Sequence, residues 1–188
     1  MRITDQSIVG VKLIEPQTFP DGRGWFVETY QSERYRDAGI TDAFVQDNFS
    51  FSRQNVLRGL HFVRGASQAQ LFFVSSGEAF AVVADVRPSS PTFGHWWSTV
   101  LDTRTCRQVY MAPGLACGFL VTGEHACMHY KVSRAYEPEI DGGVFWNDPA
   151  LAIEWPTTAP NVSARDAAFP MLSDIPAALL PQVEDTMC

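Results

Sequence analysis

Short apolar runs, each rich in β-branched or aromatic residues, follow one another along most of the chain. VGVKLIEP, WFVETY, AFVQDNFSF, LRGLHFV, QLFFVSSG, EAFAVVADVR, HWWSTVL, RQVYM, CGFLV and ACMHYKVS have this character, and turn signals separate them at Asp21-Gly22, Ser76-Gly77, Pro88, Pro113-Gly114 and Gly142-Gly143. Strands of this length and spacing predict an all-β protein, a sandwich or barrel with the jelly roll as the favoured form. Helical signals are few and peripheral. SERYRDAG (residues 32–39) has a Ser to cap it and a Gly to close it, and DIPAALL (174–180) is the other candidate. The Pro-rich stretch 149–170 is expected to run irregularly over the barrel and to carry residues to its mouth.

Length and composition narrow the class. The 188 residues suffice for one domain (1–188) with a sizeable core, and 46% hydrophobic against 19% charged residues is a globular composition. A net charge of −7 argues against a general nucleic-acid or anionic-membrane surface, since both need a basic footprint. No apolar run resembles a signal peptide or reaches the roughly 18 residues that cross a bilayer, so a cytoplasmic location is expected. Cys106, Cys117, Cys127 and Cys188 show no C-x-x-C spacing and are expected to be reduced thiols.

Charge is unevenly spread. Residues 48–77 hold Arg53, Arg58, His61 and Arg64 without a single Asp or Glu, which is either a solvated loop or a local anion pocket in an acidic protein. Among the four histidines, His125 and His129 stand four apart on a predicted strand. At about 3.3 Å per residue they are roughly 13 Å apart, too far to share a metal ion. His61, in LRGLHF, is either a packed strand histidine or a general base. Gly59 would permit a bulge that turns Arg58 and His61 toward one pocket despite their odd spacing, and an imidazole suits proton abstraction at neutral pH. Inversion of a carbon centre also needs an acid on the opposite face. Tyr130 is a candidate for it or a plain core aromatic; strand alternation puts it with Met128 on one face and His129 on the other.

These residues lie in a series of longer motifs: FPDGRGWFVETY, FVQDNFS, VLRGLHF, DVRPSSPTFG, PGLACGFLV, the Tyr130 strand, WNDP and SARDAAFP. In that order they make nearly the whole chain resemble the dTDP-4-dehydrorhamnose 3,5-epimerase family, cupins that act on nucleotide-linked 4-keto-6-deoxyhexoses. The resemblance implies a cupin-type jelly roll, a homodimer, a dTDP-sugar substrate, and neither metal nor organic cofactor. It implies His61 as the base, Asp166 as the carboxylate that pairs with it, and Tyr130 as the acid. Asp166 by itself would look like a surface loop residue. Arg58, Gln46 and Asn48 match sugar and phosphate positions, and Phe119 and Tyr136 match pocket positions. Arg23, Phe26 and Glu28 match residues that the family contributes to the nucleotide across the dimer interface.

Two positions depart from the family pattern. A lysine usual in the family in a motif like G-K-L or A-K-Y, which the resemblance implies as the stabiliser of the enolate, is Gln70 here; the histidine of A-H-G-F is Cys117. Both substitutes are neutral, and a thiol is a weak donor. The expectation is a cofactor-independent epimerase (3,5-, 3- or 5-) of altered rate or selectivity. Two other readings stay open: an isomerase or cyclase recruited to another natural-product intermediate, and a non-catalytic sugar-nucleotide-binding relative.

Overall fold

Two long strands organise the molecule. The computed structural model describes residues 1–65 and 68–182. In chain order the elements are β1 (Arg2–Asp5), β2 (Val11–Glu15), β3 (Thr18–Asp21), β4 (Gly24–Val27), α1 (Ser32–Asp37), β5 (Gln46–Arg53), β6 (Val56–Val63), β7 (Gln70–Asp85), β8 (Trp96–Asp102), β9 (Gln108–Met111), β10 (Leu115–Val132), β11 (Asp141–Gly143), β12 (Asn161–Val162) and α2 (Ala164–Ala167). β7 and β10 pair antiparallel, and their register breaks between Val121 and Ala126. Residues 70–76 of β7 and 126–132 of β10 share a sheet with β1, β2, β5 and β9, whereas 78–85 and 115–121 join β6, β8, β11 and β12.

The turn signal at Ser76-Gly77 therefore marks a bend inside one strand, not the gap between strands that its sequence predicts. Gly77 has φ +80°, and a Cβ there would sit 1.8 Å from the His125 carbonyl oxygen. Only glycine lets β7 and β10 fold over each other at this corner. The result is a jelly-roll barrel. Phe72, Val74 and Met128 from one sheet pack against Ala81, Val83 and Val121 from the other.

The second half of β7 lacks polar alternation because both its faces are covered. Val82 and Ala84 point away from the barrel into a second cluster with Leu60, Ala116, Val144, Leu151, Leu172 and Leu180, so the C-terminal segment wraps that sheet. On the outside of the other sheet, α1 packs Tyr35 against Ile14, Leu71 and Tyr110.

The helices differ from expectation in detail. α1 is capped by Gln31, not by Ser32: the Gln31 side chain accepts from the Arg34 N–H at 2.6 Å. Residues 174–180 form no α-helix. The tail makes 3-10 turns at Leu172–Asp174 and Ala177–Leu179, because Pro176 supplies no N–H and Ile175 before it is extended. Residues 149–170 run irregularly except for β12 and α2. Cys106, Cys117 and Cys127 are unbridged, and Cys188 lies outside the described residues.

One buried ion pair fastens the end of β7. Asp85 is fully buried; it accepts from Arg87 Nε at 2.9 Å and Nη2 at 2.7 Å, from Thr92 Oγ1 at 2.6 Å and from Ser90 Oγ. Burial pushes the carboxyl pKa up, but the Arg87, Ser90 and Thr92 contacts outweigh it and hold it below 3.8. The Asp85 contribution to stability is thus fully present above that unfolded value and fades as pH falls through the lower folded value. Asp85→Ala should cost about 3–5 kcal/mol in urea denaturation at pH 7, since it leaves Arg87 buried and uncompensated. The penalty should shrink when the denaturation is repeated below pH 3.8.

Candidate active site

The local structure of β6 begins with a register slip. Arg58 stands opposite Phe119 and His61 opposite Cys117, so three steps along β6 match two along β10. This bulge places Arg58 and His61 on the same cavity, as their odd spacing otherwise forbids. Two glycines allow it. Gly59 has φ +126°, and a Cβ there would come within 2.5 Å of the Gly118 Cα; one on Gly118 would come within 2.8 Å of the Arg58 carbonyl oxygen.

Asp166 holds the bulge and the ring together. It lies on α2, whose cap Ser163 accepts from the Asp166 N–H at 3.0 Å. Its Oδ2 accepts from the Gly59 N–H at 2.9 Å, and its Oδ1 stands 3.1 Å from His61 Nε2. The residue is only 4% exposed, so it is no surface loop acid. The His61 contact is at ion-pair distance, although Nε2 makes no aligned hydrogen bond. Such bonds are commonly loose before substrate arrives. Burial raises the Asp166 pKa, and the His61, Gly59 and Ser163 contacts more than reverse this, so the carboxylate is ionised at neutral pH. Phe169 packs edge-on against His61, in the space that Gly143 leaves by lacking a Cβ.

Tyr130 comes from the other sheet. It pairs with Asn48 on β5 and Phe72 on β7, and its side chain reaches the same cavity. Burial is the main cause that raises its pKa, partly offset by Arg58, so the phenol keeps its proton at neutral pH. His129 faces outward, sandwiched by Phe49 and Phe73, as alternation predicts.

The cavity measures about 460 Å³. Gln46, Asn48, Arg58, His61, Gln70, Cys117, Phe119, Tyr130 and Tyr136 all line it. Gln46 Nε2 donates to Asn48 Oδ1 at 2.8 Å, and its Oε1 accepts from the Tyr136 N–H at 3.1 Å. Arg58 has no carboxylate partner among the described residues; its Nε donates to Ser52 Oγ at 2.9 Å, which leaves the charge available to an anion. Arg53 and Arg64, from the same acid-free segment, do not line the cavity.

Three predicted residues are elsewhere. Arg23, Phe26 and Glu28 lie on or just after the β3–β4 hairpin and do not line the cavity of their own chain. Arg23 pairs with Asp21 at 2.6 Å, Glu28 pairs with Arg34, and Phe26 is exposed. Conversely, sequence reasoning passed over Ser50, Gln68, Phe72, Asp141 and Arg165, which do line the cavity. Arg165 donates to Asp141 at 2.6 Å. Its place beside Asp166 in the SARD motif was the available signal; Gln68 and Asp141 carried none.

Two sheets thus hold a cavity with an imidazole–carboxylate pair on one wall and a protonated phenol on the other, the arrangement of an acid–base enzyme. The chain belongs to the dTDP-4-dehydrorhamnose 3,5-epimerase family, whose model matches residues 5–174, and it is an isomerase of the sugar-epimerase class. It is 42% identical over 175 residues to the dTDP-4-dehydrorhamnose 3,5-epimerase of Salmonella typhimurium, covering 92% of this chain and 96% of that one. The crystal structure of the Legionella pneumophila epimerase in complex with dTDP-4-keto-L-rhamnose superposes with a TM-score of 0.93 at 43% identity, covering 96% of this chain and 97% of that chain. The 4-keto-6-deoxy sugar epimerase NovW, from the novobiocin gene cluster of Streptomyces spheroides, gives 0.92 at 38% identity, covering 97% and 94%.

Gly59→Ala tests the bulge. It should lower stability by about 1–3 kcal/mol, because an L side chain is forced to positive φ against the backbone of β10. Urea denaturation gives the loss, and the His61 ring resonances should shift with it.

Proposed function

We propose that the protein is a cofactor-independent epimerase of a dTDP-linked 4-keto-6-deoxyhexose. The observation that carries this is the placement of His61 and Tyr130 on opposite sheets, so that a carbon held between them meets a base on one face and an acid on the other. Asp166 Oδ1 faces Nε2 at 3.1 Å, and the reading takes Nδ1 of His61 as the basic atom. It takes the proton next to the ketone; the C–H pair becomes the enolate double bond, and the carbonyl π pair moves to oxygen. Tyr130 then delivers a proton to the opposite face, and the two groups return to their starting forms through solvent. Asp166 fixes the tautomer and steadies the imidazolium, as the carboxylate of a hydrolase triad does.

Arg58 suits the diphosphate because its guanidinium meets no carboxylate among the described residues and presents forked donors. Gln46, Asn48, Phe119 and Tyr136 surround the sugar. Arg23, Phe26 and Glu28 act on the nucleotide of a partner subunit in a homodimer. Their hairpin supports this: Phe19, Trp25 and Phe26 are each at least half exposed there, an apolar arm without cover in one chain. No described helix is long and apolar enough to cross a membrane, and a cytoplasmic site of action is part of the proposal.

Incubation with dTDP-4-keto-6-deoxyglucose in D₂O tests the reaction. Deuterium should enter at C3, C5 or both, and His61→Ala should slow entry by about 10²–10⁴-fold, the usual worth of a positioned base. Absence of His61-dependent exchange at either carbon would remove the epimerase reading in favour of another substrate or a binding role. Light scattering should return a mass near twice 20.9 kDa, and a monomeric mass would contradict the shared nucleotide site.

A further inference from the structure

The two residues that depart from the family pattern touch each other. Cys117 lies on β10 beside His61 in the ladder, and Gln70 lies on β7 in the sheet that carries Tyr130. Their side chains meet between the two walls, with Cys117 Sγ 3.6 Å from Gln70 Oε1. The contact continues: Gln70 Nε2 stands 3.1 Å from Gln68 Oε1, and Gln68 Nε2 stands 3.0 Å from the Arg134 carbonyl oxygen.

The direction of this relay follows from its last member. A backbone carbonyl can only accept, so Gln68 must turn its NH₂ toward Arg134 and its oxygen toward Gln70. Gln70 must then answer with its own NH₂, and its oxygen is left facing the thiol, which must donate. Cys117 can do so, because burial and Asp141 push its pKa up to about 12 and keep the sulfur protonated. Once these bonds are counted, the thiol has spent its proton and Gln70 Oε1 is an acceptor already in use. Gln70 and Gln68 each keep a second N–H, and Gln70, whose amide meets Cys117 beside His61 in the ladder, lines the cavity with His61 and Tyr130.

Building on the epimerase reading, we infer that Gln68 is a positioning residue: it aims the free N–H of Gln70 at the oxygen where enolate charge develops, forming a neutral oxyanion site. Without Gln68, the Gln70 amide is free to rotate by half a turn and present its oxygen to the enolate, which repels it. No proton passes through the relay. His61 and Tyr130 still carry the proton chemistry, while Gln70 contributes a fixed dipole where an ammonium would contribute a charge. A lysine at position 70 needs no aiming, because all its hydrogens are donors. The dependence on Gln68 is therefore specific to glutamine at 70.

The test combines turnover with an observable that needs none. Gln70→Leu should lower kcat by about 10²–10³-fold, the worth of one oxyanion donor, and Gln68→Ala by about tenfold with little change in KM. In a Gln70→Lys background, Gln68→Ala should change nothing; a persisting loss there would mark a merely structural role and overturn the inference. Independently, the infrared S–H band of Cys117, assigned by its absence in Cys117→Ala, should shift in Gln70→Leu and in Gln68→Ala. An unmoved band overturns the relay itself. A band that shifts in both variants while the wild-type protein shows no His61-dependent exchange overturns the epimerase reading, and with it the catalytic role given to Gln70 and Gln68.

Discussion

The site depends on one buried carboxylate. Asp166 accepts from the Gly59 backbone with one oxygen and faces His61 Nε2 with the other, so the same group secures the β6 bulge and the ring that the bulge exposes. Each would be costly without it. A bulge leaves a backbone N–H without a ladder partner, and a buried unpaired N–H costs about 1–3 kcal/mol. The carboxylate in turn is tolerable in the interior because its contacts keep it ionised against the push of burial. Fold and proposed chemistry meet in this arrangement: the interaction that makes β6 irregular also selects the histidine nitrogen left for substrate.

The barrel supplies the rest through symmetry of placement. β7 and β10 each belong to both sheets, and the bend at Gly77 sets those sheets face to face. Side chains of β6 and of the second half of β10 then enter one cavity from opposite sides. A base and an acid so disposed serve inversion at carbon far better than retention. The neutral pair Gln70 and Cys117 lines the same cavity, and in the proposed chemistry it replaces charge by orientation in the stabilisation of the enolate.

Much of the fold was legible from alternation and turn residues, and the exceptions have physical causes. SSGEAF reads as a strand end because Gly77 interrupts it, yet the glycine serves a bend at which β7 crosses from sheet to sheet. DIPAALL has helical composition, and Pro176 denies it. At the site, His61 was marked by Gly59 and by the acid-free segment around it. Asp166 was not marked by any local pattern: it lies 107 positions after Gly59, and only its resemblance to a known motif connected the two. Gln68 has no distinguishing neighbours in sequence; its meaning comes from a backbone carbonyl 66 positions away. Arg23, Phe26 and Glu28 show the opposite case, recognisable in sequence yet remote from the cavity of a single chain.

The central claim is that His61 and Tyr130 act on opposite faces of one carbon. Tyr130→Phe, incubated with the 4-keto sugar nucleotide in D₂O, separates the two steps most directly, with deuterium content and configuration at the exchanging carbon followed together by NMR. The account predicts that exchange persists and outruns inversion, because the base still removes the proton while the opposite face has lost its donor. Inversion that keeps pace with exchange in Tyr130→Phe would contradict it.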